Sequence, residues 1–134
     1  MIRIALTSLS VDDQDKAERF YVDMLGFVVK HSVPMGPMRY LTVVSPADPD
    51  GVELSLEPGG QRAEVATFQA WMRQQGIPAI AFHVDDVDVE HHRLSDQGVV
   101  FTQPPAPMGP IRAAVLDDTC GNLIMLYSNP ATAA

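Results

Sequence analysis

An ordered series of short matches recurs within this chain at a nearly constant offset. Val11-Asp12-Asp13 returns as Val84-Asp85-Asp86, 73 positions later, and Pro34-Met35-Gly36-Pro37 returns as Pro107-Met108-Gly109-Pro110, again at 73. Arg39 and Arg112 follow the two copies at the same distance. Asp50-Gly51 then matches Cys120-Gly121 at an offset of 70, so the first copy carries about three extra residues around Pro46-Ala47-Asp48-Pro49. A shared dipeptide is chance, but a series in order is not. Two copies are too few for a solenoid. The 134 residues are one domain's worth of chain and read as two similar modules of about 55 residues.

Each module reads as β-α-β-β-β. Residues 2–11 alternate, with Thr7, Leu9 and Val11 on one face and Leu6, Ser8 and Ser10 on the other. Asp13 suits a helix N-cap. Ala17, Phe20, Tyr21, Met24 and Leu25 then form one apolar helical stripe, and Gly26 fits its stop. Strands are expected over residues 27–33, 38–44 and 52–57, with Pro34-Met35-Gly36-Pro37 as a turn. In the second module residues 79–84 place Ile80, Phe82 and Val84 on one face and Ala81 and His83 on the other. Asp86 caps a helix with a weaker stripe, Val87, His91 and Leu94, ending near Gly98. Strands are expected over residues 99–102, 111–116 and 122–127. The modules therefore span residues 2–58 and 78–129. Between them, after the break at Pro58-Gly59-Gly60, Val65, Phe68 and Met72 mark a linker helix within residues 59–77. The tail beyond Pro130 is small and expected to fray.

Composition narrows the partners. Hydrophobic residues make up 46% of the chain and charged ones 19%, enough for a real core. Acidic residues outnumber basic ones 17 to 9, giving a net charge of −8. That argues against nucleic acid, which is held mainly by Lys and Arg on phosphate, and against an anionic membrane surface. No apolar run reaches the roughly 18 residues a spanning helix needs. The lone Cys120 leaves no intrachain disulfide and no cysteine-based zinc finger. The chain opens directly on a strand-like pattern, so a cytoplasmic protein is expected.

Paired modules of this kind resemble the vicinal-oxygen-chelate superfamily, which includes glyoxalase I, bleomycin-resistance proteins, extradiol dioxygenases and fosfomycin-resistance enzymes. The residues carrying the resemblance are Val11-Asp12-Asp13, Phe20-Tyr21 and Leu25-Gly26-Phe27 in the first module. In the second they are Phe82-His83-Val84-Asp85-Asp86-Val87-Asp88 and Asp118-Thr119-Cys120-Gly121-Asn122-Leu123-Ile124. The resemblance implies an α+β fold, two tandem βαβββ modules lining a cup with the helices outside. It also implies a small molecule inside the cup and a homodimer. The superfold hosts many reactions and so does not fix the chemistry.

The family's enzymes usually hold a divalent metal with ligands from the first and fourth strands of each module. Carried over by position, those ligands fall on Leu6, Ser55, Ala79 and Met125. A hydrocarbon, a hydroxyl, a methyl group and a thioether are poor ligands for magnesium, manganese or zinc. No cofactor is therefore expected, and a divalent metal is the minority alternative. A relocated site is conceivable: Glu53, Ser55 and Glu57 share one face by period two, and His83 shares a face with Ala79 and Ala81. Glu53 is the candidate acid/base residue. The expected pocket is Leu6, Ser8, Glu53, Ser55, Glu57, Ala79, Ala81, His83, Met125 and Tyr127.

Other residues have plainer explanations. The Asp12-Asp13 and Asp85-Asp86 pairs sit where capping explains them, and Arg39 and Arg112 read as surface partners of Asp or Glu rather than an anion clamp. Adjacent His91 and His92 point in different directions and cannot chelate together. His31 reads as an unpaired surface residue, and Cys120 lacks a base beside it in sequence. Phe68, Trp71 and Met72 read as packing, in the core or at a dimer interface. Three functions stay open: a metal-free binder of an aromatic or cationic compound, a lyase or dioxygenase of the superfamily using metal or acid/base chemistry, and a dimeric structural or regulatory module.

Overall fold

A computed structural model describes residues 1–130; the expectation for the tail lies outside the described residues. The secondary structure is β1 (Leu6–Ser10), α1 (Gln14–Glu18), a π-helical turn (Arg19–Met24), β2 (Val28–Met35), β3 (Met38–Val44), β4 (Glu53–Glu57), α2 (Ala63–Gln75), β5 (Ile80–His83), α3 (Val87–Asp96), β6 (Phe101–Met108), β7 (Ile111–Asp117) and β8 (Leu123–Ser128). A short 3-10 turn, Pro58–Gln61, follows β4. None of these helices is long and apolar enough to cross a membrane.

The described strands form two four-stranded sheets of the same topology, in the orders β1-β4-β3-β2 and β5-β8-β7-β6. In each, the first strand pairs parallel with the fourth and the other pairs are antiparallel. The chain is an α+β fold of two tandem modules. It divides into two compact units, one of Met1–Phe68 with Thr119–Gly121, the other of Gln69–Asp118 with the segment from Asn122 onward.

In the first unit, one sheet face carries Leu9, Leu41, Val43, Leu54 and Leu56, all buried, with Ala17, Phe20 and Tyr21 of the helical segment. Asp13 caps α1 by accepting the N–H of Lys16. In the second unit, Ala114, Leu116, Ile124 and Leu126 are buried with Val87 and Leu94 of α3, and Asp86 caps α3. The two hairpins turn on Gly36-Pro37 and Gly109-Pro110; Gly36 has φ +64° and Gly109 φ +57°, the left-handed region glycine enters at little cost.

Four expectations need correction. The first strand starts at Leu6, not residue 2, because its partner β4 starts at Glu53; Ile2 and Ile4 are left exposed. The first helix is not regular throughout: Leu25 N–H donates to Phe20 five residues back, and Met24 and Leu25 are only half-buried. The sixth strand, expected over residues 99–102, is Phe101–Met108 and runs through Pro104, Pro105 and Pro107. It tolerates them because it is an edge strand with two register shifts, where missing N–H donors cost little. Of the two packing sites expected for Phe68 and Trp71, the core is ruled out: α2 buries no side chain, and both residues are exposed in the single chain.

Candidate functional site

Each sheet has a second face, opposite its buried core. In the first unit, the register places Leu6, Ser8 and Ser10 of β1 beside Glu53, Ser55 and Glu57 of β4. Ser55 pairs with Thr42 of β3, and Thr42 with His31 of β2. Tyr40 follows on the same face by period two. No Lys or Arg occupies these positions. Arg39 points the other way and is held by Glu18 and Asp15, each at 2.8 Å.

This face is a polar ladder. Thr42, fully buried, donates from Oγ1 to Glu53 Oε1 at 2.9 Å. His31 Nε2 lies 3.5 Å from that same oxygen, and its ring stacks on Tyr40 with centroids 5.9 Å apart. Along the strand, Glu57 Oε1 accepts from Ser8 at 3.0 Å and from Ser55 at 3.4 Å. The hydroxyls thus occupy acceptor positions on both carboxylates. The expectation that His31 is unpaired is therefore corrected. A β-bulge between Val29 and His31 turns its imidazole onto the Glu53 face.

In the second unit the corresponding face is mostly apolar. Ala81 and His83 of β5 pair with Met125 and Tyr127 of β8, which pair with Val115 and Ala113 of β7. His83 meets Tyr127 edge-on at 5.3 Å. Ala79, one residue before β5, donates its N–H to Leu123. The ten expected pocket residues thus fall into two groups. Leu6, Ser8, Glu53, Ser55 and Glu57 share the first face, and Ala79, Ala81, His83, Met125 and Tyr127 belong to the second unit. His31, Tyr40 and Thr42 were missed. The alternation of β3 hinted at the last two, but only cross-strand register brings them to Glu53.

The remaining candidates are accounted for. Arg112 forks onto Asp88 of α3 at 2.7 and 2.9 Å, the counterpart of Arg39 on its own helix. This pairing holds the Asp88 carboxyl below its ordinary range. Asp12 pairs with Lys16 at 2.8 Å. His91 packs edge-on against Phe101 at 4.6 Å, while His92 is exposed. Cys120 is buried. A hollow of about 660 Å³ in the first unit runs from Asp12 to the Pro34–Arg39 hairpin and includes only Met38 of the Glu53 face. The hollow and the polar ladder are therefore separate features of the first unit. An open sheet face in one unit encloses little volume by itself.

Among the described residues no three His, Cys, Asp or Glu side chains converge as a metal site. The family's ligand positions carry Leu6, Ser55, Ala79 and Met125, with the Ser55 hydroxyl committed to Glu57. This donor set does not fit a hard divalent ion.

Comparison with known proteins places this architecture. The family model described as the Glyoxalase/Bleomycin resistance protein/Dioxygenase superfamily matches residues 3–126. The chain belongs to that superfamily. It is 47% identical over 125 residues to the protein YurT of Bacillus subtilis (strain 168), covering 93% of this chain and 98% of the relative. Among solved structures, UcmS2 superposes with a TM-score of 0.81 at 30% identity, covering 96% of this chain and 99% of that one. TnmS3, an antibiotic binding protein from Streptomyces sp. CB03234, superposes with a TM-score of 0.73 at 27% identity, covering 96% and 97%.

Proposed function

We propose that this member of the superfamily is a small-molecule-binding protein that holds an antibiotic-like organic ligand on the Glu53 face without a divalent metal. The observation that carries the reading is the face itself: two hydroxyl-backed carboxylates and a stacked His31–Tyr40 pair, open on a sheet whose metal positions hold Leu6 and Ser55. The likeness to an antibiotic binding protein supports the ligand class.

The test is a thermal-shift screen against polycyclic aromatic and amine-bearing antibiotics. A ligand specific for the native state, present at about 100 times its Kd, adds about 2.7 kcal/mol to stability. Glu53→Ala and Tyr40→Ala should each reduce the shift. A screen in which no compound raises the melting temperature overturns the reading. Stoichiometric, tightly held metal in the purified protein overturns its metal-free part.

The same reading includes a homodimer. Edge strand β2 is exposed along its whole length and displays Val28, Val29 and Val33. A long apolar edge is usually covered. Light scattering at micromolar concentration should give twice the 14.6 kDa chain mass. A second reading, acid/base turnover at Glu53, is favoured by the imidazole beside that carboxylate. Mass-spectrometric conversion of a bound compound would decide for it.

A further inference from the structure

We propose that Glu53, Tyr40 and His31 form a subsite for an organic ammonium group, and that protonation of His31 closes it. The inference rests on the small-molecule-binding reading and adds a ligand class and a control.

Glu53 presents more acceptor capacity than the fold uses. A carboxylate offers about four lone-pair positions. The Thr42 hydroxyl and the His31 nitrogen both address Oε1. Among the described residues no donor bonds Oε2. The side chain keeps 21% of its exposure, so that oxygen can meet a ligand.

The charge beside it is one-sided. β3 is the element packed along β2. The titratable groups facing His31 are the Tyr40 phenol across the strand pair and Glu53 beyond it on β4. Arg39 lies on the opposite face in its pairs with Asp15 and Glu18. Lys30, at the bulge, donates to Pro49 and approaches Asp50 at 4.0 Å. Glu57 adds a second negative charge on the Glu53 face. With a neutral imidazole, this face therefore holds carboxylates and no cation of its own. The stacked aromatic rings beside Glu53 add π faces that attract ammonium groups.

Histidine is the side chain that ordinarily changes charge between about pH 5 and pH 8. Once protonated, the imidazolium 3.5 Å from Glu53 is the counter-ion, and an external cation must compete with it. A neutral ligand feels no such competition.

The experiment is calorimetric titration of the full chain with benzyltrimethylammonium, whose charge does not titrate, and with neutral benzyl alcohol. The cation should bind about fivefold more weakly at about pH 5.5 than at about pH 8, with the alcohol unchanged. His31→Asn, which removes the imidazole and its π face, should weaken cation binding somewhat at about pH 8 and lose the pH dependence. His31→Arg, permanently charged, should bind the cation weakly at both. His31 is 45% exposed, so neither variant threatens folding, and circular dichroism melts check this. A cation bound no better than the alcohol, or an undiminished pH dependence in His31→Asn, overturns the inference. If neutral compounds still raise the melting temperature, the binding reading survives that failure. If nothing binds, the reading beneath it falls.

Discussion

Thr42 has no exposed surface, and its hydroxyl is spent on one carboxylate oxygen of Glu53. A hydrogen bond to a charged acceptor contributes about 1.5–3 kcal/mol, and the low end applies because Glu53 is not fully buried. Thr42→Val, which keeps the shape and removes the donor, should therefore destabilise the protein by about 1.5 kcal/mol in urea unfolding. Combining it with Glu53→Ala should cost less than the sum of the two, since both remove the same bond. Additive losses would mean that the bond does not couple them. At the N-terminus of α3, Asp86 accepts from Asp88 and Val89 at 3.0 and 3.3 Å. Asp86→Ala should cost about 1 kcal/mol, read by the same unfolding experiment.

Elements differ in how plainly the sequence announced them. Strand β3 begins at Met38 and ends at Val44, the bounds expected from the sequence. Both helix caps followed from an Asp before an apolar stripe. Local pattern could not supply register. In β2, Val29 pairs with Val43 but His31 pairs with Thr42, so one extra residue is absorbed between them. Without that bulge, His31 would face the helices and never meet Glu53, because a one-residue slip reverses every later side chain. That Leu6, Ser8, Glu53, Ser55 and Glu57 share one face was legible because β1 and β4 pair in regular register. The histidine beside them was hidden by an irregularity that leaves no mark in composition. The glycines separate two further element-scale effects. A Cβ at Gly36 would meet nothing within 4 Å, so Gly36→Ala carries only the conformational cost of φ +64°, about 1–2 kcal/mol. At Gly60 a Cβ would lie 2.9 Å from the backbone of Val11 and Asp12, where the 3-10 turn closes on the end of β1. Gly60→Ala should therefore lower the melting temperature more than Gly36→Ala does. The opposite order would show that this turn yields without cost.

At the scale of the whole molecule, the pH dependence of stability follows from a few groups in a chain of net charge −8. The Asp13 carboxyl is held below its ordinary 3.8 chiefly by the Lys16 backbone N–H, and Asp88 chiefly by the Arg112 side chain. A carboxyl whose pKa is lower in the folded state stabilises the protein above its unfolded value, and that contribution is lost as pH falls through the folded one. Lys16 has the opposite sign. Asp12 raises it above 10.5, so its contribution is complete below that value and lost as pH climbs through the raised one. For these groups, stability should stay level across neutral pH, then fall below about pH 4 and above about pH 10.5. Asp88→Asn isolates one acid contribution. It removes the charge that Arg112 holds, so the variant should melt below wild type at pH 7. At about pH 2.5, where both versions of the side chain tend toward neutrality, the two melting curves should draw together. Thermal melts of both proteins at the two pH values measure this directly. An equal gap at both would mean that Asp88 acts through packing and not through its charge.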